Sequence, residues 1–237
     1  MRRIPIKGEI IPDNYQWLYD ACEIQGISPK KAKAMLEEAK QAGEDFVVEI
    51  NSGGGSVFAG VEIYSLLKPL GCRVEIVGIA ASAASIIACA GKTVAISPAG
   101  QIMIHNSSSV AAGNKNDFRK AAAACGSVDE GLALAYKTKC GHSAEELLAM
   151  MDNETWLNAE KAKELGLVDE IMGQNETEKE PEPDRLVASA SGLTVDPGVM
   201  NVVNGLKMRL ADANQEVKRL TELAKVNAFM AKFKEGL

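Results

Sequence analysis

Hydrophobic residues in the first 172 positions fall into short runs that alternate with helical patterns. The runs FVVEI, RVEIVGI, TVAI and QIMIH are rich in β-branched residues and predict strands at 46–50, 73–79, 93–96 and 101–105. An extended segment at 1–11 precedes them. Buried strands that alternate with helices are typical of an α/β fold with a largely parallel sheet.

The segments between these strands carry helix signals. Ser28 is placed to cap a helix that begins at Pro29, and Gly43 follows the end of that helix. The other predicted helices lie at 11–24, 60–70, 80–91, 114–138, 143–151 and 158–166. The longest places apolar residues three or four apart at Phe118, Ala122, Cys125, Val128, Leu132 and Ala135. A last strand is predicted within LVDEIMG, at 167–173.

Composition changes after Gly173, which divides the chain into a first domain at 1–173 and an appendage. The segment 174–184 holds five acids, two prolines and no aliphatic side chain, and it predicts a flexible acidic linker over 174–198. From Val203 to Ala224 apolar residues alternate steps of three and four, a heptad pattern that predicts a helical, coiled-coil tail at 199–237. A helix docked on the first domain is the alternative.

The overall composition limits the function classes. Of the 237 residues 46% are hydrophobic, which is enough for a substantial core, and the net charge of −6 argues against nucleic-acid binding. Five cysteines without a CxxC spacing predict reduced core thiols, with neither a disulfide frame nor a metal site. No cofactor is expected. The N-terminus lacks a secretory apolar region and no run is long enough to span a membrane, so we expect a cytoplasmic protein.

The segment INSGGGSVFAG is the first place where chemistry is expected. A strand ends at Ile50, and the glycines at 53–55 lead toward a helix. Glycines can adopt positive φ and bring backbone N–H groups to a helix N-terminus, where an anion is favoured. A tight turn that merely tolerates glycine explains the same residues. A phosphate loop is not favoured, because no GK[ST] follows.

The uncharged segment GIAASAASIIACAG at 78–91 is the second, and its only polar side chains are serines. Ser82 is expected in the first turn of a helix, at a strand-to-helix corner where a hydroxyl can be exposed. A helix cap and a nucleophile both explain this residue. Ser85, one turn further along, is expected to face inward or to cap.

The third place is QIMIHNSSS, because the chain contains only two histidines. His105 closes a predicted strand and precedes a polar loop, whereas His142 precedes a helix and is expected to be exposed. A serine nucleophile needs a base with a pKa near neutrality within hydrogen-bond reach, which favours His105. Considered alone, His105 is equally explained as a surface histidine.

Together, the blocks INSGGGSVFAG, GIAASAAS, MIHNS and ETWLNAEKAKELGLVDEI resemble those of the Clp protease proteolytic subunit (ClpP) family in order and spacing. The match covers about residues 6–172. The resemblance implies a ClpP/crotonase-like fold and a serine endopeptidase with a Ser–His–acid triad. It also implies peptide or protein substrates and assembly into homo-oligomeric rings, with the helix at 114–138 as the handle between stacked rings.

Matched block by block, the family's roles fall on particular residues of this chain. Ser82 would be the nucleophile, His105 the general base, and Gly55 and Ala83 the oxyanion-hole donors. The family's triad aspartate is matched by Glu154, and the alignment around this residue is ungapped. Asp152, two residues earlier, is the alternative acid.

The appended linker and tail make the chain similar to a phage or prophage head maturation protease, which cleaves capsid or scaffold precursors. Such an enzyme would act in the host cytoplasm or the prohead, and a dedicated ATPase partner is not expected. Two other functions compete with this one. A crotonase-like acyl-CoA enzyme would share the fold and the glycine donors, and an inactive assembly or scaffold protein would share the fold alone.

Overall fold

The computed structural model of the protein describes residues 1–173, and the predicted linker and tail lie outside them. The strands are β1 (Arg2–Ile10), β2 (Gly26–Ile27), β3 (Phe46–Gly55), β4 (Arg73–Ala81), β5 (Thr93–Ile96), β6 (Gln101–Ile104), β7 (Thr155–Asn158) and β8 (Glu170–Ile171). The α-helices are α1 (Gln16–Ala21), α2 (Pro29–Gln41), α3 (Val57–Leu67), α4 (Ala83–Ala88), α5 (Lys115–Cys140), α6 (Ala144–Asp152) and α7 (Ala159–Glu164). Short 3₁₀ turns precede α1 and follow α3.

The strands form one sheet in the order β2-β1-β3-β4-β5-β8, and β6 and β7 extend it as a branch from β4. Every pair of neighbours is parallel except β6 and β7, which are antiparallel. The first half of β4 pairs with β5, and its last three residues pair with β6. The predicted α/β fold with a largely parallel sheet is therefore confirmed.

The core lies where α2, α3 and α4 pack on the central strands. Ile6, Ile50 and Ile76 of three neighbouring strands are fully buried. Residues an odd number of positions away point to the opposite face of the sheet. There Arg3 makes ion pairs with Glu49 and Glu75, at 2.6 and 2.9 Å.

Helix boundaries follow the capping residues that the sequence provides. The Ser28 side chain accepts a hydrogen bond from Lys31 N, Pro29 is the first residue of α2, and Gly43 follows its end with a φ of 64°. Asn114 begins α5 with a capping box, and Ser143 does the same for α6. These helix starts were predicted correctly within one residue.

Two local predictions were wrong, and one strand was missed. The glycine segment leads to a helix as predicted, since α3 begins at Val57, but it is not a turn, because β3 continues through Gly55 and pairs there with Ile10 of β1. Ser82 lies one residue outside α4, which is only six residues long. Strand β7, which was not predicted, crosses the segment TWLN.

Two other expectations receive a partial answer. Helix α5 is confirmed, but its first half is mostly exposed and Phe118 retains 52% of its surface. All five cysteines are free thiols, of which only Cys72 and Cys89 are buried. Burial raises the pKa of Cys89 to about 12, so this thiol stays protonated near neutral pH. Of the helices in residues 1–173, none has the length and apolar character to cross a bilayer.

Candidate active site

The C-terminal ends of β4 and β6 bring the predicted serine and histidine together. In the parallel register Ala81 lies beside Met103, and Ser82 N donates a hydrogen bond to Met103 O at 2.9 Å. Ser82 follows the end of β4 and His105 follows the end of β6. Side chains at adjacent ends of parallel strands meet at one edge of the sheet, so these two residues face each other.

The backbone of Ser82 turns sharply at this edge. Its φ of 53° and ψ of −124° are unusual for a residue with a side chain and cost about 1–3 kcal/mol. The turn directs the hydroxyl to the imidazole, where Ser82 Oγ lies 2.7 Å from His105 Nε2. Ser82 occupies the N-cap position of α4, but its hydroxyl makes no capping hydrogen bond with the backbone amides of that helix and contacts His105.

A carboxylate reaches the other ring nitrogen because β7 runs antiparallel to β6. Ile104 pairs with Thr155, so the preceding residue Glu154 lies opposite His105. Glu154 Oε2 is 3.9 Å from His105 Nδ1, which is within ion-pair range but longer than a hydrogen bond. The Glu154 side chain is 60% exposed, and its backbone adopts a φ of 45°.

The alternative acid, Asp152, has a different partner. Its Oδ1 accepts a hydrogen bond of 2.7 Å from Asn106 Nδ2, on the residue that follows His105. The other amide atom, Asn106 Oδ1, is buried without a hydrogen-bond partner among residues 1–173. The structure therefore brings Glu154 closer to the imidazole and ties Asp152 to the neighbouring loop.

Two glycines of β3 lie beside this pair. A Cβ atom on Gly54, whose φ is 101°, would stand 2.7 Å from Ser82 Cβ and 3.1 Å from Ala83 N. A Cβ atom on Gly55, whose φ is 142°, would instead clash with Ile10 O of β1. Of the two predicted oxyanion-hole residues, Ala83 is the first residue of α4 and Gly55 is the last of β3.

Ser52 holds the glycine segment in place and was missed by sequence reasoning. Its buried hydroxyl donates to Gly8 O at 2.6 Å and accepts from Gly54 N at 3.1 Å. The only signal available was its place within INSGGGS, one residue before the glycines. Gly54 was also missed as the glycine that contacts Ser82.

Behind Ser82, the side chain of Ser85 faces inward, one of the two orientations predicted for it. It is buried, and its hydroxyl lies 2.6 Å from Ser82 O and 2.7 Å from Tyr136 Oη. The second histidine of the chain has a different partner. His142 flanks α6 with its Nδ1 3.5 Å from Glu146 Oε2, partly exposed as expected.

An apolar groove of about 510 Å³ opens between α3 and α5 and adjoins the site. Val57, Ile86 and Leu132 line both the groove and the small cleft that holds Ser82 and His105. Within the described part of the chain, no three His, Cys, Asp or Glu side chains gather closely enough to hold a metal ion.

Comparison with known proteins agrees with this fold. A family described as Clp protease matches residues 26–175, well over half of the chain. The chain belongs to the Clp protease family. The ATP-dependent Clp protease proteolytic subunit of Porphyromonas gingivalis is 31% identical over 150 residues, covering 61% of this chain and 67% of that protein. The protein of the same name from Bacteroides fragilis is 31% identical over 147 residues, covering 60% and 70%.

Proposed function

We propose that the protein is a serine endopeptidase in which Ser82 is the nucleophile and His105 the general base. The observation that carries this proposal is the 2.7 Å contact between Ser82 Oγ and His105 Nε2 at a strained strand-to-helix corner. Membership of the Clp protease family and relatives named proteolytic subunits support it.

In the proposed first step, His105 Nε2 takes the Ser82 proton while Oγ attacks the carbonyl carbon of the substrate. The C–N bond then breaks, and the departing amine takes that proton from the imidazolium. Water then attacks the acyl-enzyme while His105 takes a proton from it. The bond between the acyl group and Ser82 Oγ breaks, and Oγ receives that proton from the imidazolium, which releases the acid and restores Ser82.

Negative charge develops on the substrate carbonyl oxygen in both steps. We assign the stabilisation of this charge to the N–H groups of Gly55, the last residue of β3, and Ala83, the first residue of α4. A preorganised donor of this kind contributes about 2.7–4 kcal/mol to transition-state stabilisation. The close approach of Gly54 to Ser82 and Ala83 N supports this arrangement, because it draws the end of β3 against the nucleophile corner.

The acid of the proposed triad is Glu154, since it reaches within 3.9 Å of His105 Nδ1 whereas Asp152 bonds to Asn106. Glu154→Gln should lower kcat about 10- to 100-fold, less than the ~10⁴-fold loss for a buried triad aspartate, because Glu154 is exposed and its contact is long. Asp152→Asn keeps an oxygen acceptor for Asn106 and is the matched control. Steady-state peptide hydrolysis by both variants measures the difference. Near-wild-type kcat in Glu154→Gln, or a larger loss in Asp152→Asn, contradicts the assignment.

The active form is proposed to be a homo-oligomeric ring, as the family resemblance implies. The exposed first half of α5, with Phe118 at 52% exposure, supports a contact between copies along this helix. Peptide substrates fit the apolar groove beside Ser82, which offers room for a side chain of an extended segment.

We propose capsid or scaffold precursors of a phage as the natural substrates, cleaved in the host cytoplasm or prohead. The support is the acidic segment and heptad pattern that follow the peptidase domain in the sequence. A crotonase-like acyl-CoA enzyme needs no serine–histidine contact, so the pair at 2.7 Å favours the peptidase. The same pair favours an active enzyme over an inactive assembly protein.

Incubation of the purified assembly with unfolded casein and with phage capsid and scaffold precursors tests both the peptidase activity and the phage substrates. We expect cleavage of all three without ATP by the wild type, and no cleavage by Ser82→Ala. Cleavage of casein alone contradicts the phage role and leaves the peptidase intact. Cleavage only after an ATPase is added contradicts the expected independence from such a partner. Products that persist in Ser82→Ala overturn the peptidase assignment.

A further inference from the structure

A buried chain of hydroxyls connects the backbone of Ser82 to helix α5. Ser85 Oγ lies 2.6 Å from Ser82 O and 2.7 Å from Tyr136 Oη, on a residue 51 positions away. Ser85 is 2% exposed and Tyr136 is 1% exposed. Two buried hydroxyls in contact represent a costly arrangement unless each hydrogen bond is made.

The direction of the hydrogen bonds in this chain follows from counting protons. A carbonyl oxygen can only accept, so Ser85 must donate its single hydroxyl proton to Ser82 O. Ser85 therefore accepts from Tyr136, whose phenol donates. Bonds aligned head to tail in this way strengthen one another in a dry interior. Burial also raises the pKa of Tyr136, which keeps the phenol protonated as a donor.

The carbonyl at the end of this chain of hydrogen bonds belongs to Ser82, whose backbone is strained. Ser82 holds a φ of 53°, and its oxygen accepts from Ser85 N at 3.0 Å as well as from Ser85 Oγ. A strained conformation persists only where the surroundings over-determine it. The second bond to Ser82 O provides such a constraint, and it fixes the peptide plane that leads into the N–H of Ala83.

Helix α5 also contacts the loop that follows the base. The buried carboxylate of Asp129 accepts a hydrogen bond from Ser107 N at 2.7 Å. Asp129 and Tyr136 are seven residues apart, so both lie on the same side of the helix, two turns from each other. One helix thus holds the backbone next to the nucleophile and next to the histidine.

We propose that Ser85 and Tyr136 are positioning residues for Ser82: their hydrogen-bond chain holds the carbonyl of the nucleophile and thereby aims its hydroxyl and the adjacent N–H of Ala83. The role rests on the proposed peptidase function. It predicts that removal of the chain slows attack by Ser82 even in a protein that is fully folded.

The test compares Ser85→Ala, Tyr136→Phe and the double variant with the wild type in the full chain. The readouts are the second-order rate of labelling by a fluorophosphonate and the midpoint of thermal unfolding. Ser85→Ala leaves the phenol of Tyr136 buried without its partner and should destabilise the fold. The double variant removes both hydroxyls and should recover much of that stability. Its labelling rate should nevertheless stay roughly 10- to 100-fold below wild type, the scale of a small misplacement of a reacting group.

Ser28→Ala is the matched structural control, because Ser28 is equally buried but caps α2, where it follows the end of β2. It should lower the unfolding midpoint without changing the labelling rate. If Ser85→Ala fails to fold, Tyr136→Phe still applies, with a smaller loss of rate expected because Ser85 keeps its bond to Ser82 O.

The possible failures are distinguishable. An unlabelled wild type overturns the proposed peptidase function and this role with it. A double variant that labels at the wild-type rate overturns the positioning role alone. Equal slowing in Ser28→Ala also overturns it, because the loss would then follow general stability and not the constraint on Ser82.

Discussion

Replacement of His105 by alanine should lower kcat for peptide hydrolysis by about 10³- to 10⁶-fold, in the range measured when a triad base is removed. Without the imidazole, the proton on Ser82 Oγ has no acceptor at 2.7 Å, and a neutral hydroxyl is a poor nucleophile. The change removes a half-buried ring at the end of β6 and leaves the sheet register intact. Hydrolysis of a fluorogenic peptide and the circular dichroism spectrum together measure the effect.

His142→Ala is the control for this variant, since His142 is the other histidine of the chain and flanks α6. Its activity should stay within about twofold of wild type, as for most surface changes away from a site. Activity of His105→Ala within tenfold of wild type would mean that another group accepts the proton. The base assignment would then be wrong even if Ser82 remained the nucleophile.

Gly54→Ala should be the most damaging change in the glycine segment. A Cβ atom there would stand 2.7 Å from Ser82 Cβ and 2.8 Å from Ala81 O, and the backbone φ of 101° disfavours any side chain. Both contacts are with the turn at residues 81–82, so this turn must move if the variant folds. We expect at least a ~100-fold loss of kcat/KM, together with a lower unfolding midpoint.

The neighbouring Gly53 provides the matched control, because a Cβ atom there has no other described atom within 4 Å. Gly53→Ala should therefore fold normally and retain most of the activity. Equal losses in the two variants would attribute the effect to glycine flexibility in general. Full activity in Gly54→Ala would contradict the packing of this glycine against Ser82.

Much of the fold was predictable because runs of β-branched residues are typical of buried strands. The strand at 93–96 was predicted with its observed bounds, and the one at 101–105 differs by a single residue. Strand β7 was not predictable in the same way. Its more buried residues are Thr155 and Leu157, and Trp156 is 52% exposed, so polar and apolar residues do not alternate along TWLN although burial does.

The same limitation explains the glycine segment. Gly53, Gly54 and Gly55 all lie within β3, where Gly54 and Gly55 pair with β1, and glycine carries no side-chain pattern that would indicate a strand. Their number suggested a turn, whereas Gly54 packs closely against Ser82 and Gly55 against β1. The sequence shows that these residues are small. It does not show which neighbouring atoms in the fold leave no room for a side chain.

The site was predictable in its residue types more than in its geometry. The two-histidine count and the motif blocks singled out Ser82 and His105, whose contact the structure shows. The choice between Glu154 and Asp152 depends on which residue lies opposite His105 in the β6–β7 ladder. The pairing of β6 with β7 is set by how the chain folds and cannot be read from the local sequence of either strand. The contact between Ser85 and Tyr136 spans 51 positions and was equally invisible to local patterns.

Mass spectrometry of the assembled protein after treatment with a fluorophosphonate tests the central claim most directly. In the reaction Ser82 Oγ bonds to phosphorus, fluoride leaves, and the proton passes to His105. The account predicts one adduct per chain, located on the peptide that contains Ser82 and absent from Ser82→Ala. An unmodified Ser82 in the intact assembly, or an adduct that persists in Ser82→Ala, would contradict it.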